Sequence, residues 1–469
     1  MEAIVHFNST TLVKPSTDPT KGPLPRRIEF TPMELQILSI NYVQFGLLFN
    51  KPTPKQLQEC LGNNVINHIK ESLSRALEVY TPLAARLAIT EYQDKTRSFH
   101  VDCNNGDGAL FIDAAAPGVT VAQILETAYV PEVVYSMLPV EGVGNFEWVS
   151  KPLLVVQVTE LLDGIFIGTA MNHSIADRTT FWHFVNTWSE ISRSLTSAGG
   201  PSLYQELSQH VPAIQDWFLD GIEHPIRIPD FVYQGIIDDN EASKSTPKKV
   251  RIFHFTKETV AALKAKANAQ IGICSTSNIT IASLQAILAH FWRSITRIKR
   301  LEAADIEETL CRVAMNARHR LQTPLPDKYF GNPILVEPTI ATAGELLEHG
   351  LGWAALQINK MIAQHTDEEI KRKLKAWVER PQAPKFGQPE SNMVGLVVGG
   401  SPWFNVYGND FGWGKPITVR NGREKLLDCL IFSHPGAGED GSVDIHACLD
   451  PEILLALENE TQFMAALST

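Results

Sequence analysis

The sequence predicts an α/β protein of two similar-sized domains, each built on a mixed sheet. Three observations predict it. The 469 residues suit two or three domains at about 150 residues apiece. Both halves alternate strand-like apolar runs with stretches of helical period. Between the halves, the chain becomes proline-rich and polar and loses that period. We expect an N-terminal domain over 1–195, a crossover linker over 196–250 and a C-terminal domain over 251–469.

In the first half, Leu153 to Leu162 is a continuous apolar run, followed by Asp163-Gly164 and then Ile165-Phe166-Ile167. An Asp-Gly pair between two such runs is a strong hairpin signal. The second strand is expected to end at Met171 to His173. Beyond Asp177 the apolar residues Phe181, Phe184, Val185, Trp188 and Ile191 fall on one helical stripe. The linker holds Gly199-Gly200-Pro201, Pro212, Pro225, Pro229 and Pro247, and the polar tract Asp238 to Lys249. In the second half, Lys257 to Gln270 and Thr280 to Lys299 read as helices. The latter carries Leu284, Ile287, Leu288, Phe291 and Ile295 on one face. Leu310 to Met315, Met393 to Val398, Leu426 to Phe432 and Val443 to Cys448 read as strands.

Composition excludes several classes. At 44% hydrophobic and 20% charged residues the chain is an ordinary globular one, and no window is apolar enough to span a membrane. A formal net charge of -11 argues against general nucleic-acid binding. Basic residues do cluster at Lys244 to Arg251 and Arg293 to Arg300, as solvated charge or as an anion contact. The N-terminus lacks a secretory pattern, and the six cysteines show neither a CxxC pair nor zinc spacing. We expect reduced thiols, a cytoplasmic setting, no metal, and incidental sequons at Asn8, Asn278 and Asn459.

His173 and Asp177, within Met171-Asn172-His173-Ser174-Ile175-Ala176-Asp177, lie where the apolar strand hands over to the helix. A neutral imidazole at such a strand end can take a proton from an alcohol or amine. By itself His173 reads as structural before catalytic, and Asp177 suits a helix N-cap or an ion pair better than a relay. The spacing recurs at His446 and Asp450, where His446 falls in an alternating strand and Asp450-Pro451 opens a helix, so that pair reads as structural. There is no GxSxG elbow and no HExxH. Gly436 to Gly441 matches GxGxxG but carries two acids and leads into a strand, so it reads as a hairpin loop rather than a phosphate cradle. Gly414-Lys415 lacks the rest of a P-loop.

Taken with His173 and Asp177, Asp410-Phe411-Gly412-Trp413-Gly414-Lys415-Pro416 resembles the BAHD family of CoA-dependent acyltransferases. Tyr80-Thr81-Pro82-Leu83-Ala84-Ala85-Arg86-Leu87 is similar to the family's YPLAGRL segment, with alanine for the glycine. Asn316-Ala317-Arg318-His319-Arg320 is similar to its N-x-R-x-R strand, and Tyr329-Phe330-Gly331-Asn332 to its YFGN loop. These segments follow in the family's order across residues 80 to 416.

The resemblance implies a CoA-dependent acyltransferase-like pair of domains joined by a long crossover loop, with a solvent channel between them. It implies His173 as the general base and Asp177 turned from the channel into an ion pair with an arginine. Asp410 and Trp413 become structural supports at the domain junction, with Arg318 the expected ion-pair partner of Asp410. Acyl-CoA becomes a co-substrate rather than a bound cofactor, and Lys249, Arg251 and Lys257 candidate contacts to its phosphates. The setting implied is a monomer of plant specialised metabolism, acylating an oxygen or nitrogen of a small acceptor. One departure stands out: where the family has glycine after the motif aspartate, this chain has Arg178. It would bind an anionic substrate group, narrow the channel mouth, or turn outward to solvent. A CoA-independent reaction in the same channel, or a ligand-binding protein without turnover, stay open on the sequence alone.

Overall fold

The computed structural model describes residues 4–16, 27–62, 64–104, 107–140, 142–196, 211–214, 221–242, 248–274, 279–302, 307–383, 393–423, 429–438 and 440–467. Gly199 to Pro201, Lys244 to Pro247, Asn278 and Leu426 to Asp428 lie outside the described residues.

The apolar run and its successor form the antiparallel hairpin Leu154–Leu161 and Gly164–Met171, with Asp163 at the turn. Asp163 carries the turn on both groups. Its carbonyl accepts from the Lys51 N–H at 3.0 Å, and its Oδ1 from the Val121 N–H at 2.8 Å. A Cβ on Gly164 would lie 2.8 Å from the Phe49 carbonyl oxygen, so only glycine allows that close approach. The hairpin sits inside a six-stranded mixed sheet, between Ala109–Ala116 on one side and Val43–Asn50 on the other. Every residue of Gly164–Met171 is buried. A strand covered on both faces has no solvent side, which is why this one reads as a continuous apolar run rather than an alternation.

A second six-stranded mixed sheet runs in the order Lys249–Phe255, Val443–Leu449, Leu430–Pro435, Met393–Gly400, Glu308–Asn316, Ile334–Thr342. The expected helices appear as Lys257–Cys274 and Ser283–Glu302, and they pack with Gly350–Gln364 over a core of their own. Trp292, fully buried, donates from Nε1 to Thr309 Oγ1 at 2.8 Å and pins the helix layer to the sheet. The loop of Gly436 to Gly441 joins two antiparallel strands, as a hairpin should. Asp450 occupies the N-cap position before Pro451, though its side chain makes no capping bond to that helix.

Two features differ from the expected layout. The linker contains the helix Asp230–Ala242, preceded by Ile228–Pro229 pairing with Thr96–Arg97. Only Val232 and Ile236 are fully buried among its described apolar residues, so its stripe is too short to register as a period. More consequentially, Thr418–Asn421 from the C-terminal half leaves its neighbours and adds antiparallel to Val43–Asn50 at the edge of the first sheet. Phe411, Trp413 and Val419 travel with it into the N-terminal core.

The seam is therefore partly aromatic. Trp188, on the helix Arg178–Ser194, is fully buried, donates to Ser72 Oγ at 3.0 Å and meets Phe411 edge to face at 4.8 Å. Trp188→Ala should lower unfolding stability by about 3–5 kcal/mol. Trp403→Ala, at a ring that is 84% exposed, should change it by less than about 0.5 kcal/mol. Denaturant titration of both variants against the parent chain measures this.

Candidate active site

His173 follows the buried strand at the point where the chain turns toward the motif helix. The turn is held by side-chain amides. Asn145 Oδ1 accepts from the His173 N–H at 2.7 Å, and Asn172 Oδ1 accepts from the Ser174 N–H at 3.0 Å. Asn172 Nδ2 donates to the Asn145 carbonyl at 3.1 Å, which closes the pair. Asn332, at the end of the YFGN loop, donates from Nδ2 to the His173 carbonyl at 2.5 Å and lies 3.1 Å from its Nδ1. The Asn332 N–H in turn reaches Glu34 Oε1 at 3.4 Å, and burial pushes that carboxyl up to about 7.

The imidazole lines a cavity of about 320 Å³ at the seam between the two sheets. Gln44 and Phe45 of the first sheet face Ala314, Val398 and Phe432 of the second across it. Burial first, and the Arg178 charge second, push the His173 pKa down to about 4. Hydrogen bonds to its own carbonyl and to that of Ala176 act in the opposite direction. Carbonyls can only accept, so they bond to the ring through its N–H. The ring is thus neutral at physiological pH.

Asp177 does not reach for the ring. It is fully buried and caps the motif helix, its Oδ1 accepting from the Thr180 N–H at 2.8 Å. Both carboxylate oxygens are held by Arg318: Nη1 donates to Oδ2 and Nη2 to Oδ1, the latter at 3.0 Å. This corrects the expectation that Arg318 would pair with Asp410. Arg318 Nη2 also donates to the Tyr329 carbonyl at 3.0 Å and to Thr180 Oγ1 at 3.1 Å, so one guanidinium joins strand end, helix start and YFGN loop.

Asp410 instead shapes its own turn. Its Oδ1 accepts from the N–H groups of Gly412 and Gly414, both at 2.9 Å. Those glycines sit at φ +116 and +125, which other residues rarely adopt. The Phe411 carbonyl accepts from Ser192 Oγ at 2.8 Å, and the Trp413 ring packs on Phe49 with centroids 5.5 Å apart. None of Asp410 to Lys415 lines the cavity.

Arg178 turns inward rather than to solvent. Its guanidinium lies over the Phe432 ring at 4.0 Å and near Phe45 at 5.4 Å. Gly399 and Gly400 make room, since a Cβ on Gly399 would fall 2.9 Å from Nη1. That Nη1 is buried without a hydrogen-bond partner, and burial pushes the Arg178 pKa down to about 9. The remaining basic candidates lie elsewhere. Lys249, Arg251 and Lys257 do not line the cavity, and Arg251 is ion-paired with Glu458. Arg293 donates to the carbonyls of Leu346 and Leu347, each at 3.0 Å.

Asn332, Asn145 and Glu34 escaped the sequence reading. Asn332 carried a signal as the last residue of its loop motif. The other two lie in segments without local pattern.

Comparison with known proteins adds four findings. A family model described as Transferase family matches residues 3–464. The chain is 38% identical to an uncharacterised acetyltransferase of Arabidopsis thaliana over 98% of this chain and 99% of that one. It is 32% identical to the BAHD acyltransferase DCR of the same plant over 98% and 92%. Its fold is similar to F. graminearum TRI101, solved with coenzyme A and deoxynivalenol, at a TM-score of 0.71 and 16% identity over 94% of this chain and 98% of that one.

Arg318→Met should leave Asp177 as a buried charge without a partner and cost about 3–5 kcal/mol. A denaturation midpoint unchanged from the parent would mean that water already solvates the pair.

Proposed function

Because the chain belongs to the Transferase family of BAHD acyltransferases, we propose that His173 is the general base of its acyl transfer and that the seam cavity is where the substrates meet. The protein is an acyl-CoA-dependent acyltransferase, moving an acyl group from the CoA thioester to the hydroxyl or amine of a small metabolite. The observation that carries the reading is a neutral imidazole lining a cavity walled by both sheets.

The chemistry needs little else from the protein. A thioester is already activated, so no covalent enzyme intermediate is required. The acceptor oxygen or nitrogen attacks the thioester carbonyl carbon while the unprotonated ring nitrogen of His173 takes its proton. The tetrahedral intermediate then collapses with breakage of the C–S bond, and the imidazolium returns the proton to the departing thiolate. Acylated acceptor and CoA thiol leave, and the imidazole is neutral again. Holding both substrates at one ring exploits proximity. Asn332 and Asn145 act as positioning residues, since they fix the backbone on both sides of the ring. Among the described residues no helix is long and apolar enough to cross a membrane. We take the enzyme as a cytoplasmic monomer of plant specialised metabolism, with Lys249 and Lys257 available to CoA phosphates outside the cavity and Arg251 held by Glu458.

The test is thiol release from a panel of acyl-CoAs, with and without acceptors. Release should require an acceptor, and His173→Ala should lose about 10²–10⁴-fold in kcat/KM. Thiol release that survives this substitution would overturn the assignment.

A pH profile checks the electrostatics. The base works only when unprotonated, so activity is present above the His173 pKa and lost as pH falls through it. With that value held near 4, kcat/KM should stay level from about pH 8 down to about pH 5 on the base's account. Arg178→Gly removes a neighbouring positive charge and should move the fall to higher pH. A limb near the ordinary imidazole value of about 6.5 in the parent enzyme would show the ring to be solvated.

A further inference from the structure

A guanidinium buried in a protein is normally met by a carboxylate or by a set of carbonyls, because leaving it unpaired costs several kcal/mol. Arg318 shows the ordinary solution, with Asp177, Thr180 and Tyr329 all engaged. Arg178, on the same helix turn as Asp177, shows the opposite. Among the described residues it has no ion pair, and its Nη1 has no hydrogen-bond partner. It rests on the faces of Phe432 and Phe45, which leaves its N–H edge for the cavity.

Among the described residues no acid is paired with it, and burial is what shifts its pKa. The groups whose protonation registers the Arg178 charge are His173, His434 and His446, each also kept neutral by burial. His434 is further engaged by Asn421 Oδ1 at 2.8 Å, and the His446 ring lies tilted beside it with centroids 4.7 Å apart. Two glycines, Gly399 and Gly400, flank the guanidinium where side chains would displace it. Arg423 lies on the same cavity wall, and its own charge is met by Glu132. In a chain of net charge -11, a cation held this way inside the substrate cavity is an unfilled receptor.

We propose that Arg178 receives a carboxylate carried by the substrate, so that the enzyme acts on an acidic acceptor or transfers an acyl group that ends in a carboxylate. This rests on the acyl-transfer reading for its reaction, but not for its binding. A planar guanidinium fork matches a carboxylate with two parallel N–H···O bonds, which an ammonium cannot reproduce. The aromatic faces hold the fork in plane and shield it from water, which strengthens those bonds.

The experiment separates the two sources of the carboxylate and also separates binding from turnover. Calorimetry on the full chain compares succinyl-CoA with acetyl-CoA, and a series of hydroxybenzoic and hydroxycinnamic acids with their methyl esters in the presence of CoA. Parent enzyme, Arg178→Gln and Arg178→Lys are measured side by side. In the parent, one of the two comparisons should favour the charged member by at least about tenfold. Preference for the acid over its ester assigns the carboxylate to the acceptor, and preference for succinyl-CoA assigns it to the acyl group. Arg178→Gln should bring that ratio close to one, and Arg178→Lys should recover only part of it. A parent enzyme indifferent to charge in both comparisons overturns the proposal, as does a preference that survives in Arg178→Gln. The parent ratio stands even if a variant fails to fold. Charge-selective binding without acceptor-dependent thiol release would sink the acyl-transfer assignment and leave the subsite intact.

Discussion

The ion pair between Asp177 and Arg318 is the constraint on which the rest of the site depends. Both side chains are fully buried. Two charges withdrawn from water recover their lost solvation only through close pairing backed by further hydrogen bonds. Here that demand draws three separate segments together. Asp177 caps the motif helix, Thr180 and the Tyr329 carbonyl accept from Arg318 Nη2, and the Asp177 N–H donates to the Gly331 carbonyl. The next residue in that loop is Asn332, which touches His173. A structural pair thereby sets the position of the imidazole without touching it.

The electrostatics of the cavity follow from burial combined with uneven pairing. Where the fold supplies an acid, as for Arg318 and Arg423, the cation is spent on structure. Where it supplies aromatic faces and glycines, as for Arg178, the cation stays open. That open charge has a cost for the reaction, because it adds to burial in making His173 a weaker base. A bound carboxylate would cancel the charge and bring the ring back toward the basicity that proton transfer needs. Binding and chemistry are then coupled through one guanidinium.

The two halves are joined by more than contact. Thr418–Asn421 completes the first sheet, and the turn before it anchors Phe411 and Trp413 among the N-terminal helices. Backbone hydrogen bonds across an edge strand resist sliding in a way that side-chain packing alone does not. The seam is consequently stitched by backbone hydrogen bonds as well as by side-chain packing. The turn itself is built by Asp410 and two glycines in the left-handed region, which explains why this segment is so distinctive in the sequence while standing apart from the chemistry.

What the sequence by itself determined was local: the Asp163-Gly164 hairpin, the continuously apolar strands, the stripe of the motif helix, and the identity of His173 at their junction. These depend on residues within a few positions of one another, so period and turn chemistry record them directly. The family motifs added the order of the segments and the reaction. Tertiary structure alone decided which charge meets which. Arg318 lies 141 positions from Asp177, and Asn332 lies 159 from His173. Arg318 and Asp410 made an equally plausible pair on paper. The inward turn of Arg178 and the addition of Thr418–Asn421 to the first sheet were likewise settled only by packing. Burial is a property of the assembled fold, and a buried charge takes whichever partner the packing brings within hydrogen-bond reach.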